Sequence, residues 1–343
     1  MDPVSWKCIT VYCIRVQRLR SILLLLLFSC MMAPAFSCTR DDIFEYEFEL
    51  DLSDTISAFE VINPPYRDWS SSDRISVNQF ASLSFTHQSA ATYGDYVFFV
   101  TDGRSKIGLF SLRKKEILFT LTLRGADRKT YHCNQCTFGI EKYEDIDHFP
   151  LLYISQRAKS DGRCFIEAYR IFPLYNEDLS EYDSFYVELV QTIYLPKMTR
   201  DNSLGNANCV IDAANRTMYT YSRNNNTKED NYGQCRISQF EIPDIHQKTV
   251  ILNDGAILSS YAIDVSAINM QGGCVQDGIL YIGQGYPSAG YIYLNIIDLE
   301  KKEMVRRIDL KKNDVTWEPE GCFFYDGCVM LSHSAGICRI DKL

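Results

Sequence analysis

Two carboxylates flank a proline in the segment WEPEG, where Glu318 and Glu320 precede a run of small and apolar residues. A buried carboxylate is costly unless it is paired or hydrogen-bonded, so this pair belongs either to a binding site or to a structural loop. Combined with His87, His132 or His333, the pair would suit a divalent metal ion. A metal-bound water would then allow hydrolysis or lactone opening. Spacing along the chain does not fix the distances among these groups, so a metal site is an alternative.

Other chemistry-bearing motifs are few. The sequence contains no nucleophile elbow, P-loop or dinucleotide fingerprint. Cys133 and Cys136, in CNQC, have zinc-ligand spacing, but no second CxxC or HxxxH pair accompanies them. We therefore expect no resident cofactor, with a divalent metal as the alternative.

The N-terminal segment predicts export. Four basic residues precede the apolar run ILLLLLFSCMMAPAF, which Pro34 interrupts before it is long enough to span a bilayer. This pattern indicates a secretory signal over residues 1–37. The run ends at AFSCTRDD, which resembles the lipobox of bacterial lipoproteins and would make Cys38 the lipidated residue. Lipidation at Cys30 and an ordinary signal cleaved without lipid are the alternatives.

The segment after Cys38 and the net charge bear on location and partners. Asp41 and Asp42 resemble the acidic tag that some Bacteroidota use to send lipoproteins to the outer cell surface. We expect an outer-membrane lipoprotein with residues 38–43 as its tether, in contact with the membrane only through the lipid. The net charge of −9 becomes more negative when residues 1–37, with four bases and one acid, are removed. That sign argues against nucleic acid or an anionic membrane surface as the partner.

The elements that would position these residues follow from a repeat. Five segments share a polar lead-in, a small residue, a turn and a buried run, and a third strand follows each. A fourth strand follows in the first four, as EILFTLTL, VELVQTIYL, KTVIL and MVRRIDL. Four-stranded units that recur at roughly 45 to 75 residues predict an all-β fold, a single five-bladed β-propeller over residues 44–343. A two-domain β-sandwich is the competing architecture. The repeated small residues are Ala91, Cys136, Cys209, Cys274 and Cys322.

The fifth repeat lacks its fourth strand, so an N-terminal strand must close the ring. The segment FEYEFELDL, Phe44–Leu52, resembles the other fourth strands and is the first choice. The segment ISVNQFASLSF, Ile75–Phe85, is the alternative.

The repeat also accounts for the cysteines, of which the chain has thirteen. Four of the repeated small residues are cysteines, and Cys164, Cys235 and Cys338 share the start of the third strand. Two strands with one between them lie about 10 Å apart, whereas a disulfide needs Cα atoms within about 7 Å. We therefore predict that the cysteines from Cys133 onward are mostly reduced, buried and too far apart to pair.

The C-terminal quarter carries a family resemblance. Met270–Ile340 contains QG, IDL and EPEG at intervals similar to those in five-bladed propellers grouped with teichoic acid biosynthesis protein C and some phage receptor-binding proteins. The earlier blades share only the repeat. The resemblance implies a propeller that handles cell-surface polymers by binding them, and it implies no established catalytic residues.

The predicted binding site lies where the loop into each innermost strand and the loop out of each second strand meet, around the mouth of the central channel. Amides, carboxylates, arginines and aromatic rings there would suit sugar hydroxyls, which need donors and acceptors. Alternatively, these side chains only satisfy exposed backbone at the strand ends. The predicted ligand-binding residues are His87, Gln88, Asp102, His132, Asn134, Arg157, Asn206, Arg223, Gln271, Gln284, Trp317, Glu318, Glu320 and His333.

These observations predict an exported, lipid-anchored propeller that binds a cell-surface or environmental glycan or other polymer without catalysis. A metal-dependent propeller hydrolase or lactonase is the first alternative. A protein-interaction scaffold with partner surface lipoproteins is the second.

Overall fold

The computed structural model describes residues 75–101, 106–125, 133–156, 164–175, 182–196, 207–224, 230, 233–267, 269–341 and 343. Contacts divide the chain into two units, and every described residue belongs to the second, Thr55–Leu343. The predicted signal, the tether and the segment Phe44–Leu52 lie outside the described residues. Among the helices of the described part, none has the length and apolar character needed to cross a membrane.

The described residues form 21 β-strands and three short 3-10 helices, Asp254–Ala256, Pro287–Ala289 and Lys311–Asn313. In chain order the strands are β1 (Ser76–Ser82), β2 (Ser89–Tyr93), β3 (Tyr96–Val100), β4 (Lys106–Ser111), β5 (Glu116–Arg124), β6 (Cys133–Phe138), β7 (Leu152–Gln156), β8 (Phe165–Tyr175), β9 (Tyr182–Tyr194), β10 (Asn208–Asp212), β11 (Thr217–Arg223), β12 (Gln234–Glu241), β13 (Thr249–Ile251), β14 (Ser259–Ser266), β15 (Met270–Gln276), β16 (Ile279–Tyr286), β17 (Tyr291–Asp298), β18 (Glu303–Asp309), β19 (Gly321–Tyr325), β20 (Cys328–His333) and β21 (Gly336–Asp341).

The strands form five four-stranded antiparallel units, which we call blades 1 to 5. Their orders are β2-β3-β4-β5, β6-β7-β8-β9, β10-β11-β12-β14, β15-β16-β17-β18 and β19-β20-β21-β1. Blades 1 and 2 share one larger sheet because β5 pairs in parallel with β9, and β13 also pairs with β9. These orders confirm the predicted all-β propeller.

The innermost strands form a closed ring. Strands β2, β6, β10, β15 and β19 contact one another in that order, and β19 contacts β2. The hydrophobic core lies between neighbouring sheets, so Phe98 of blade 1 shares a buried cluster with Ile154 of blade 2, and Phe323 of blade 5 shares one with Phe99 of blade 1. Alternating side chains allow one sheet to bury apolar residues against both of its neighbours.

Strand β1 supplies the fourth strand of blade 5. It pairs antiparallel with β21, from Ser76 opposite Asp341 to Ser82 opposite Gly336. The predicted closure by an N-terminal strand is therefore present, but through the alternative segment Ile75–Phe85. The first choice, Phe44–Leu52, was wrong for this position because β1 occupies the free edge of β21.

The ring has two faces. We call the side with the loops into the innermost strands and out of the second strands the loop face, and the side with the hairpin turns between first and second strands the turn face. Asp277-Gly278 and Asp326-Gly327 form two of these turns with positive φ at both residues, as type I′ hairpins require. Strand β1 starts on the turn face, since Ser76 lies level with Asp341.

Candidate functional site

The loop face brings several predicted residues together over blades 4 and 5. The amide Nε2 of Gln271 donates a hydrogen bond to Oε1 of Glu318. Beside them, the Trp317 ring stacks on the ring of His333, with centroids 4.2 Å apart and planes 12° apart. Partial burial raises the pKa of Glu318 and lowers the pKa of His333. These four side chains form a patch in which Gln271 contacts Glu318 and Trp317 contacts His333.

Glu320 holds two blades together through its backbone. Its carbonyl accepts a hydrogen bond of 3.1 Å from the N–H of Gly272 in blade 4, and its own N–H donates to the carbonyl of Glu318. The backbone carbonyl of Gln271 accepts a bond of 2.7 Å from the Tyr221 hydroxyl of blade 3. The EPEG segment is thus a structural corner between blades, whatever its side chains bind.

His87 and Gln284 are buried in the same region. The Nδ1 atom of His87 faces the carbonyl of Phe85 at 2.9 Å, so it carries the proton, and Nε2 accepts from the Ser332 hydroxyl at 2.8 Å. Burial lowers the pKa of His87 to about 4, despite the Phe85 carbonyl, and nearby His333 adds to this effect. Gln284 donates to the carbonyl of Ser266 at 2.7 Å. Both side chains bond to backbone or side-chain groups near strand ends. This agrees with the alternative that the predicted residues satisfy polar groups at the strand ends and do not bind a ligand.

The remaining predicted residues are spread around the ring. Gln88 is half-buried and its backbone N–H extends the β2–β3 pairing, while Arg223 is exposed at the end of β11. Asn134 is the extra residue of a β-bulge in β6. Asp102, His132, Arg157 and Asn206 lie outside the described residues. Among the described residues, no group of three or more His, Cys, Asp or Glu side chains is arranged to hold a metal ion.

The axis itself is closed on the loop face by Gln135, which the sequence analysis did not single out. Its Oε1 accepts from the Ser89 hydroxyl at 2.8 Å and from the Gly273 N–H at 3.0 Å. Its Nε2 donates to the carbonyls of Cys136, at 2.9 Å, and Gly273, at 2.5 Å. The side chain is fully buried. One amide therefore joins blades 1, 2 and 4, with all its donors and acceptors satisfied.

Glycines allow the blades to meet at this end. A Cβ atom on Gly272 would lie 2.5 Å from the carbonyl oxygen of Glu320, and one on Gly321 would lie 2.8 Å from the backbone nitrogen of Ala90. Backbone of blades 4, 5 and 1 thus approaches too closely for any other residue.

The signal for Gln135 was present in the sequence as a polar amide between two cysteines, one position before the repeated small residue Cys136.

The other end of the axis contains a cavity of about 270 Å³. It opens on the turn face, because its wall consists of the second halves of the innermost strands and the turns that follow them, with contributions from all five blades. Its lining includes Tyr93, Asp95, Phe138, Tyr325 and Asp326.

The cavity has an aromatic wall and two aspartates at its rim. The rings of Tyr93 and Phe138 lie 5.6 Å apart on the wall. At the rim, the Tyr325 hydroxyl donates to Oδ1 of Asp95 at 3.1 Å, and burial, reinforced by Asp95, raises the pKa of Tyr325 to about 12. Asp95 and Asp326 are the charged residues among those lining the cavity, which include no lysine or arginine. Each is paired with an arginine outside the lining, Asp95 with Arg113 at 2.6 Å and Asp326 with Arg339 at 3.6 Å, so the rim offers hydrogen-bond acceptors with little net charge.

Cysteines also line this cavity. All nine described cysteines are free thiols, and seven of them are buried. The expected separation was nevertheless wrong for one pair, because the Sγ atoms of Cys274 and Cys322 lie 3.3 Å apart. The expectation used the distance across an intervening strand within a sheet, whereas β15 and β19 are innermost strands of adjacent blades and converge on the axis.

Comparison with known proteins finds similar solved structures at low sequence identity. No protein-family model and no curated protein matches the chain. Glutaminyl cyclase of Myxococcus xanthus is 11% identical, with a TM-score of 0.41 over 78% of this chain and 95% of that one. A putative oxidoreductase (glucose dehydrogenase) of Thermus thermophilus is 10% identical, with a TM-score of 0.42 over 78% of this chain and 100% of that one. The PQQ-bound aldose sugar dehydrogenase of Streptomyces coelicolor is 11% identical, with a TM-score of 0.42 over 78% and 98%.

These similarities concern the arrangement of the backbone, and the chemistry of those proteins is not carried over. The resemblance of Met270–Ile340 to the teichoic acid biosynthesis protein C group stays a prediction.

Proposed function

We propose that this protein is a non-catalytic binding protein whose axial cavity receives one end of a neutral, hydroxyl-rich ligand, such as a sugar residue of a cell-surface or environmental glycan. The observation that carries the proposal is the cavity of about 270 Å³ on the turn face, closed on its inner side by Gln135. This volume lies just below the roughly 300–1,000 Å³ typical of small-molecule sites.

The closed inner end determines how a ligand enters. A polymer cannot thread through the ring, because Gln135 and the backbone around Gly272 and Gly321 fill the axis. A ligand must instead insert a terminal unit or a side branch from the turn face. The protein therefore recognises ends or branches of a polymer.

The chemistry of the wall favours a neutral ligand. Carboxylates at Asp95 and Asp326 accept hydrogen bonds from hydroxyl groups, and the rings of Tyr93 and Phe138 offer apolar faces against which a sugar ring packs. Because Arg113 and Arg339 offset the charges of these two aspartates, the rim has little net charge, which suits a ligand without charge of its own.

A glycan array on the wild-type protein, followed by titration of the best ligand, tests the proposal. Asp326→Asn removes a rim carboxylate whose side chain is 69% exposed, so it costs little stability. Loss of a hydrogen bond to a charged group corresponds to about 10- to 100-fold weaker binding. Glu318→Gln makes the same chemical change on the loop face and is the matched control, expected to bind like wild type.

The two variants distinguish the two faces. If Glu318→Gln weakens binding and Asp326→Asn does not, the ligand lies on the loop face, as the sequence analysis predicted, and the cavity proposal is wrong. An array on which no glycan binds also contradicts it.

The proposed setting is the outside of the cell, with the lipid on Cys38. The apolar run that ends at AFSC supports this part of the proposal. Metabolic labelling with a fatty-acid analogue should mark the wild-type protein and not Cys38→Ala. Label that persists in the variant contradicts lipidation at this residue.

A further inference from the structure

We propose that Cys274 and Cys322 form a reversible disulfide that links blade 4 to blade 5 in the wall of the cavity. Their Sγ atoms lie 3.3 Å apart, and both residues line the cavity. They occupy equivalent positions in the innermost strands β15 and β19, which lie side by side. This site is distinct from the proposed ligand contacts at the rim.

The geometry requires only a small movement. A disulfide has an S–S length of about 2.05 Å, so the sulfurs must approach by a little over 1 Å. Other described cysteines contact oxygen or nitrogen atoms, such as Cys136, with the carbonyl of Phe98 at 3.7 Å, and Cys338, with Nε2 of His333 at 3.9 Å. Among the described cysteines, this pair is the one placed to cross-link.

The exposure of the two thiols determines which one reacts first with an oxidant. Cys274 is partly exposed at the cavity wall, whereas Cys322 is fully buried beside it. With a small-molecule disulfide as oxidant, the Cys274 thiolate attacks one sulfur, forms a mixed disulfide and expels the first thiol. The Cys322 thiolate then attacks Sγ of Cys274 and expels the second. The protein loses two protons and two electrons, and the reagent is reduced to two thiols.

The rate should depend on pH. Burial, together with the adjacent Cys322 thiol, raises the pKa of Cys274 well above its ordinary value. The thiolate is the nucleophile, so we expect slow oxidation near neutral pH and faster oxidation as the pH rises.

The cross-link would close a long loop. Cys274 and Cys322 are 48 residues apart in sequence, and a bridge of this length restricts the unfolded chain strongly. For a domain of this size we expect the oxidised protein to melt about 5–10 °C higher than the reduced protein. The bond would also fix the distance between two strands of the cavity wall.

The test is oxidation of the folded, full-length protein with 2-hydroxyethyl disulfide at about pH 8.5, near the pKa of an ordinary free thiol. Free thiols are then trapped with a maleimide, and peptides are mapped by mass spectrometry under non-reducing conditions. We expect a peptide joining Cys274 to Cys322, the higher melting temperature, and reversal of both by dithiothreitol.

Variants separate this bond from other effects of oxidation. Cys274→Ser should abolish both the cross-linked peptide and the shift in melting temperature. Cys209→Ala, at the same position of the innermost strand in blade 3, should retain both.

Two results would overturn the proposal. In one, Cys274 ends as a stable mixed disulfide with the reagent while Cys322 stays free, which would show that the strands cannot approach. In the other, both thiols stay unreacted in the folded protein although they react after denaturation. Because wild-type protein is used, neither result depends on a variant that fails to fold.

Discussion

At the residue scale, Gln135 is the side chain on which the closed end of the axis depends. Replacing it with alanine leaves the Gly273 N–H and the Ser89 hydroxyl without their acceptor, and the carbonyls of Cys136 and Gly273 without their donor. An unsatisfied buried polar group costs about 1–3 kcal/mol. We therefore expect Gln135→Ala to lower the free energy of unfolding by about 2–4 kcal/mol, measured by urea denaturation.

Gln247→Ala is the control for that measurement, because Gln247 is exposed and exposed substitutions usually change stability by less than about 0.5 kcal/mol. Equal stabilities of the two variants would show that water replaces the Gln135 amide without loss.

His87 gives the protein a pH-dependent stability. Burial lowers its pKa from 6.5 to about 4 in the folded state, so the unfolded chain takes up a proton first as the pH falls. Stability is therefore full above pH 6.5 and is lost as the pH falls towards 4. Linkage gives a loss of about 2 kcal/mol between pH 7.5 and pH 5 from this residue.

The measurement is urea denaturation of wild type and His87→Gln at both pH values. Glutamine cannot titrate, so the variant should lose about 2 kcal/mol less than wild type over this range. His333, whose pKa is also lowered, titrates in both proteins. If wild type and His87→Gln lose the same free energy of unfolding over this range, the pKa of His87 is not lowered in the folded protein.

The sequence located the residues around the axis but not their roles. The repeated small residues predicted the innermost strands because steric crowding at the axis selects small side chains at the same step of every blade. The role of Gln135 could not be predicted, since its partner Gly273 lies 138 residues away and the contact depends on how two distant strands converge. The same convergence explains why Cys274 and Cys322 meet although strands within a sheet keep such residues apart.

At the element scale, β1 determines whether blade 5 is complete. Its residue Ala81 is buried in the cluster that joins blades 5 and 1, and its backbone pairs along β21. A chain that begins at Leu83 leaves the edge of β21 unpaired, and an unpaired edge promotes association with other chains. We expect this chain to aggregate, measured by light scattering after refolding.

A chain that begins at Asp73 keeps β1 and is the control, expected to refold and to melt cooperatively. If the chain that begins at Leu83 stays monomeric with an unchanged melting temperature, closure by β1 is dispensable.

The strand patterns predicted the blades well but left the choice of the closing strand open. Alternating side chains in Phe44–Leu52 and Ile75–Phe85 both suit an outer strand, because edge pairing depends on backbone hydrogen bonds that every residue can make. The segment KTVIL, predicted as the fourth strand of the third unit, was wrong for that position: it contains β13, which pairs with β9 of blade 2, while β14 completes blade 3.

At the scale of the whole molecule, the ring makes the blades interdependent. The Gln135 amide joins three blades, and the His87–Ser332 bond joins blade 5 to blade 1, so no blade can open without disturbing its neighbours. We expect a single unfolding transition in urea. Trp317, stacked on His333 in blade 5, reports on that blade once Trp6 and Trp69 are replaced by phenylalanine.

Fluorescence of Trp317 and far-UV circular dichroism should then give the same midpoint. A fluorescence transition at clearly lower urea would show that blade 5 opens first, which would contradict a closed ring of equally held blades.

The direction of β1 has a practical consequence for how binding is measured. Ile75 leads into the strand on the turn face, and Asp341 ends β21 level with it. Arg339 pairs with both Asp341 and Asp326, so the end of β21 lies beside the rim of the cavity. A protein fixed to a biosensor surface through an affinity tag directly after Leu343 would present its cavity towards the support, where a bulky glycan has least access. Coupling through a residue of the loop face would orient the cavity towards the solution.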